Sequence, residues 1–118
     1  MKNRILLIGR LGSDPEKKVF ESGKQKCSFS LATNEKIKNH HGEWYEETQW
    51  HKIAFWGKRS DLAYQYLKKG DLCALEGKIQ YRNYQDAQGV TQYRTEIIGQ
   101  DLQFLSPVSG TDIPSEAK

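Results

Sequence analysis

The ten residues from Thr48 to Gly57 (TQWHKIAFWG) concentrate side chains whose types and spacing can do chemistry. In an extended chain successive side chains point to opposite faces. Trp50, Lys52 and Trp56 therefore share a face with Thr48 and Ala54, and Gln49, His51, Ile53 and Phe55 share the other. Two indoles with an ammonium between them can stack on flat rings such as bases and pair with phosphate. Strand tryptophans also serve as half-buried packing surface, and that alone would account for either indole.

Other segments repeat the pattern. Lys78, Gln80, Arg82 and Tyr84 fall on one face of a later strand, with Ile79, Tyr81 and Asn83 on the other. Near the N-terminus Arg4 and Arg10 share parity with Leu6 and Ile8, and Trp44 and Tyr45 stand where they would overhang such a face. One basic and aromatic strand arises easily by chance. Three in one chain weigh against packing as the whole explanation.

Catalytic constellations do not emerge. No G-x-S-x-G, Walker A or G-x-G-x-x-G pattern occurs, and Gly9 and Gly12 follow a strand without opening a helix. Adjacent His40 and His41 in a polar segment lack the i, i+4 spacing that brings two imidazoles to one metal, so no metal site and no cofactor are expected. Glu43, Glu46 and Glu47 read as a solvated hairpin edge rather than an acid–base pair. Cys27 and Cys73 stand far apart among apolar neighbours, as reduced, buried thiols do. The expected activity is binding, not turnover.

With 118 residues, 36% hydrophobic and 28% charged, the chain has the size and balance of one folded domain. Its longest apolar run, Ile5 to Ile8, is far short of a membrane span and too brief for a secretory signal, so a cytoplasmic location is expected. The net charge of +3 permits a polyanionic partner, and the positive charge lies in residues 1–105, since 106–118 carry a small negative net charge.

These residues need strands to aim them. Alternation predicts strands over Asn3 to Leu11, a short one near Lys17 to Phe20, one through Cys27, Phe29 and Leu31, the aromatic strand, and two more over about Asp71 to Tyr84 and Thr91 to Leu105. Residues 34–43 read as a polar, mobile hairpin loop. A helical pattern places Leu62, Ala63, Tyr66 and Leu67 on one face, capped by Ser60 or Asp61 and closed by Lys68-Lys69-Gly70. Five main strands with one short helix between the third and fourth is the order of an all-β OB-fold, a five-stranded Greek-key barrel. The domain is expected over 1–105, with 106–118 a short disordered tail.

Across nearly all of residues 3–105 the chain resembles the bacterial single-stranded DNA-binding protein family. Seven blocks carry the resemblance in order: Ile8 to Gly12 with Asp14-Pro15-Glu16, Phe29 to Thr33, Thr48 to Lys52, Phe55 to Lys58, Tyr66 to Gly70, Glu76-Gly77-Lys78, and Tyr93 to Glu96. The resemblance implies an OB-fold homotetramer that wraps single-stranded DNA without sequence preference, in a bacterial, nucleoid-associated setting of replication, recombination and repair. It implies stacking by Trp50, Trp56 and Tyr84 and a role for His51 near the subunit interface, and the basic residues of the same strands, Arg4, Arg10, Lys52, Lys78 and Arg82, are expected to neutralise phosphates. A further stacking position of the family falls on Ile37, and Trp44 nearby is a candidate replacement. Family members usually carry a long linker and an acidic tip; here only Asp112-Ile113-Pro114 echoes that tip. This departure counts against tail-mediated recruitment of replication and repair proteins, and fits a short accessory paralog of competence, plasmid or phage type, or a chain with fewer partners. A dimeric primosomal-type or RNA-binding OB-fold protein, and an OB module whose aromatics dock a partner chain, are the competing readings.

Overall fold

Alternation of apolar and polar side chains is realised in long, curved strands. The structure, a computed structural model, describes residues 1–105; the expectation of a disordered tail over 106–118 lies outside the described residues. The elements are β1 (Ile5–Leu11), β2 (Glu16–Val19), β3 (Gln25–Lys38), β4 (Trp44–Trp56), α1 (Lys58–Tyr66), β5 (Leu72–Gln85) and β6 (Thr91–Phe104). They form one sheet in the order β1-β5-β6-β4-β3-β2, and an added β1–β3 pairing closes β1, β3, β4, β5 and β6 into a barrel. β2 remains as an edge strand on β3. This is the expected OB barrel, with its helix between the third and fourth barrel strands.

The odd-numbered residues of β3, β4 and β5 fill the barrel. Cys27, Phe29 and Leu31 meet Ile53, Phe55, Cys73 and Leu75 there, and Phe29 stacks on Phe55 with ring centroids 6.2 Å apart. Burying each such aliphatic or aromatic side chain stabilises the fold by about 1.5–3 kcal/mol. β6 breaks the parity. A bulge opposite Glu76/Gly77 leaves Gln100 as the extra residue, so Ile97 and Leu102 both point inward although their numbers differ in parity. Gly99 lies next to this bulge, and any side chain there would overlap the Phe55 ring.

Residues 34–43 differ from expectation. β3 continues to Lys38 and β4 begins at Trp44, so only a tight turn separates them. A two-stranded arm that projects past the barrel has no core to fill, so polar residues pair there as well as apolar ones do. Lys36 sits opposite Glu46, Thr48 donates to Asn34 at 2.8 Å, and the Asn39 Oδ1 accepts the His41 and Glu43 amides to form the turn. β1 also starts later than expected, at Ile5; Asn3 instead exchanges hydrogen bonds through its side-chain amide with the backbone of Ile79.

The helix cap differs too. Gly57 is the N-cap, with no side chain capping it; Ser60 is buried and donates to the Gly57 carbonyl at 2.6 Å, while Asp61 pairs with Lys17. α1 ends at Tyr66, ahead of Lys68 and Lys69, so neither lysine lies in its last turn. The backbone amides of Lys68 and Lys69 bond Asp71 and Asp14, which ties the helix exit to the barrel. Ala63 and Leu67 are buried, and the helix packs on β3 and β4.

Candidate nucleic-acid interface

Because odd residues fill the barrel, the even residues of β3, β4 and β5 point outward. In register across β3 and β4 lie Lys26 opposite Trp56, Ser30 opposite Lys52, and Ala32 opposite Trp50. Across β5 and β6 lie Arg82 opposite Arg94 and Gln80 opposite Glu96. β4 and β6 run parallel and pair only at Ile53–Ile97 and Ala54–Ile98. Past that seam the β3–β4 and β5–β6 hairpins part, and a cleft opens between them. Trp50, His51 and Lys52 line one side, and Tyr93, Arg94 and Thr95 the other. On the same wall a polar groove runs past Lys26, Ser28, Ser30, Lys52, Arg94 and Glu96.

Trp50 is 62% exposed, and its six-membered ring rests against Gly12, where a Cβ would overlap it. Lys52 is exposed and lines both the cleft and the groove. Trp56 is half-buried: Phe20 stacks on it at 5.6 Å, and the Lys26 ammonium lies 5.4 Å from its ring. Tyr84 is exposed and held by Arg94, whose guanidinium sits 5.2 Å from the ring and donates to the hydroxyl at 3.0 Å. Lys78 and Arg82 stand exposed on the same outward row of β5, with Arg82 reaching Gln80 at 3.4 Å. Trp44 is on the far end of the β3–β4 arm rather than in a loop, with Lys38 lying 5.8 Å from its ring.

β1 borders β5 and β3, and it carries Arg10 opposite Ala32, which lies opposite Trp50, so Arg10 continues the outward row of the indole, whereas Arg4 lies at the far end of β1. Arg4 forms a two-pronged pair with Glu76 at 2.7 and 2.8 Å, and Arg10 donates to the Gly70 carbonyl at 3.0 Å. The hydrogen bond and charge of Arg4 hold the Glu76 carboxyl below its ordinary value, and Glu76 in turn raises that of Arg4. His51 is half-buried on the core-side parity of β4, and its Nε2 lies 2.9 Å from the Thr33 hydroxyl.

Several residues of the face escaped the sequence reading. Lys26 crosses from β3 to Glu96 on β6 at 3.0 Å, a half-buried ion pair in the groove. Arg94 lies directly opposite Arg82. Like charges facing each other across two strands repel, and a phosphate between or beside them relieves that repulsion. The alternation of β6 itself carried the signal: Gln92, Arg94 and Glu96 share a parity, as the residues opposite them on β5 do. Among the described residues no cluster of three metal-ligating side chains occurs, and the His40 and His41 rings lie tilted against each other with centroids 4.0 Å apart.

The outward wall thus combines exposed rings, unneutralised cations and an open cleft, a surface suited to a flexible polyanion that carries flat bases. Comparison with known proteins agrees. A model of the single-strand binding protein family matches residues 2–105. The chain is 44% identical over 104 residues to the Single-stranded DNA-binding protein 1 of Chlorobaculum tepidum, covering 87% of this chain and 64% of that one. It is 39% identical to the Single-stranded DNA-binding protein 1 of Clostridium acetobutylicum, with coverage of 87% and 93%. The chain spans about three fifths of the length of several of these curated relatives. Among solved structures, a Plasmodium falciparum SSB complex with ssDNA superposes with a TM-score of 0.81 at 35% identity, covering 90% of this chain and 96% of that chain. A single-stranded DNA binding protein from Thermus aquaticus, at 21% identity and a TM-score of 0.80, shares the fold.

Proposed function

This chain belongs to the single-strand binding protein family, and on that premise we propose that it binds and protects single-stranded DNA, without sequence preference and without turnover. The observation that carries the reading is the cleft between the two hairpins, where an exposed indole (Trp50) adjoins cations on both walls (Lys52 and Arg94), neither of which has a carboxylate partner among the described residues. Trp50, Trp56, Tyr84 and Trp44 present π-faces to successive bases, each stacked base contributing about 1–3 kcal/mol whatever its identity. Lys52, Lys78 and Arg82, joined by Arg94, neutralise phosphates. Arg10, in the outward row of Trp50, joins them, and Arg4, committed to Glu76, contributes less to a single subunit's contact than its spacing suggested.

Assembly into a homotetramer belongs to the same proposal, with His51 near the subunit contact. The exposed apolar residues Leu6 and Ile8 on β1, 68% and 58% accessible in the single chain, support a partner subunit. Linked sites on one assembly raise the effective concentration for a strand that visits several of them. Among the described residues no helix is long and apolar enough to cross a membrane; a cytoplasmic, nucleoid-associated place follows from the DNA reading.

The test is the native mass of the protein, alone and with an oligo-dT strand several tens of nucleotides long, at two salt concentrations. A mass of four chains and a complex that weakens with salt are expected. A two-chain mass with a preference for RNA oligomers would favour the primosomal or RNA-binding alternative. Absence of salt-dependent binding would favour a protein-docking module.

A further inference from the structure

We propose that Tyr93, to which the sequence reading gave no role, is a base-stacking residue in the cleft that Trp50 also lines; this deepens the single-stranded DNA reading and rests on it. Tyr93 stands on β6 opposite Asn83, on the parity that enters the barrel core lower down at Ile97 and Ile79. Past the seam there is no core left to enter. The ring therefore emerges from the barrel into the cleft, beside Arg94 and across from Trp50 and Lys52.

Its exposure sets it apart. Tyr93 is 79% accessible, more than Trp50 at 62% or Tyr84 at 44%. The other rings of the face are engaged: Trp56 by Phe20 and Lys26, Tyr84 by Arg94, Trp44 by Lys38. Among the described residues no ring, cation or hydrogen-bond partner holds the Tyr93 side chain. An aromatic ring left in water exposes apolar surface whose burial is favourable, and a base entering a cleft flanked by Lys52 and Arg94 supplies that burial. The cleft, about 480 Å³, has the size of sites that hold small flat ligands. The strand would then be gripped from both hairpins at once, not laid along one of them.

Tyr81 provides an internal control. It lies on the same face of the same hairpin and is 75% exposed, yet it does not line the cleft. Affinity for an oligo-dT strand is measured for the full-length chain and for Tyr93→Ala, Tyr93→Phe, Tyr81→Ala and Trp50→Ala. Tyr93→Ala is expected to weaken binding about tenfold to a hundredfold. Tyr93→Phe is expected to hold wild-type affinity, because stacking uses the ring and not the hydroxyl. Tyr81→Ala is expected to remain within about twofold, with melting temperature and native mass unchanged in all four variants. Wild-type affinity in Tyr93→Ala, or equal losses in Tyr93→Ala and Tyr81→Ala, would overturn the assignment. A changed native mass in Tyr93→Ala would move the residue to a subunit contact and overturn it as well. If the wild-type chain itself fails to bind the strand, the underlying DNA reading falls. If wild type binds, Trp50→Ala weakens and Tyr93→Ala does not, only this proposal falls.

Discussion

The indole of Trp50 lies on Gly12, and the space the ring occupies is the space a side chain at residue 12 would need. Gly12 is held in place by its amide, which donates to the Ser30 carbonyl at 2.9 Å. The β1–β2 connection thus forms a floor beneath a ring carried by β4, and it fixes the face that the ring turns outward.

A methyl group at this floor should therefore act through the ring. Gly12→Ala is expected to weaken binding of oligo-dT by less than Trp50→Ala, which removes a stack worth about 1–3 kcal/mol. The double variant should bind no worse than Trp50→Ala alone, since both changes act on one contact. Tryptophan emission titrated with DNA reads this directly. Fully additive losses would show that Gly12 matters for another reason.

The cations of the face separate by salt dependence. Each phosphate neutralised on a single strand contributes about 0.7 to the slope of log affinity against log salt. Lys52→Met should reduce the slope by about that amount. Arg4→Met should leave it unchanged, because the Arg4 guanidinium is committed to Glu76 on the β1 wall. Equal slopes for the two variants would place Arg4 on the DNA path.

The turn of the β5–β6 hairpin should loosen in acid. Hydrogen bonds from the Val90 amide, the Gln92 side chain and the Gln88 amide hold the Asp86 carboxyl below its ordinary value. A depressed native value means that the stabilisation is present above the unfolded value of about 3.9 and is lost as pH falls through the lower native one. An NMR titration should show the Gln88 and Val90 amides moving together, with a midpoint below that of a free aspartate. A midpoint at or above the free value would refute the turn's dependence on the charged carboxyl.

Both thiols should resist chemistry in the folded chain. Burial pushes Cys27 up to about 11 and Cys73 up to about 12, so almost no thiolate forms near pH 8. A thiol reagent should leave the native protein unmodified and should label both cysteines in denaturant. Rapid labelling of the native chain would mean that the barrel opens readily at β3 or β5.

Much of this was legible in the sequence, and the reasons are particular. Strict alternation in residues 27–31 and 48–56 located the core and the outward row together, because one periodicity decides both. Alternation failed where the chain departs from it. The bulge at Gln100 hid the inward direction of Leu102, and residues 34–38 looked like loop because an arm without a core leaves no apolar period. Parity also shows which way a side chain points but not which wall of a closed barrel it occupies. Arg4 and Lys52 therefore looked equivalent until the strand order separated them. Lys26 and Arg94 were missed because their meaning lies in partners 70 and 10 residues away.

The shared parity of core and interface also bears on how such a protein can change over generations. Along β4 the outward residues proposed to meet DNA, Trp50 and Lys52, alternate with residues of the inward parity, half-buried His51 and buried Ile53. Inserting or deleting one residue there would swap the two sets, emptying the barrel and the binding wall in a single step. Replacing an outward residue disturbs neither the neighbour behind it nor the register. New binding preferences are therefore reachable by substitution at outward positions and by lengthening the hairpin tips, while the length of β4 between Trp50 and Trp56 is closed to variation.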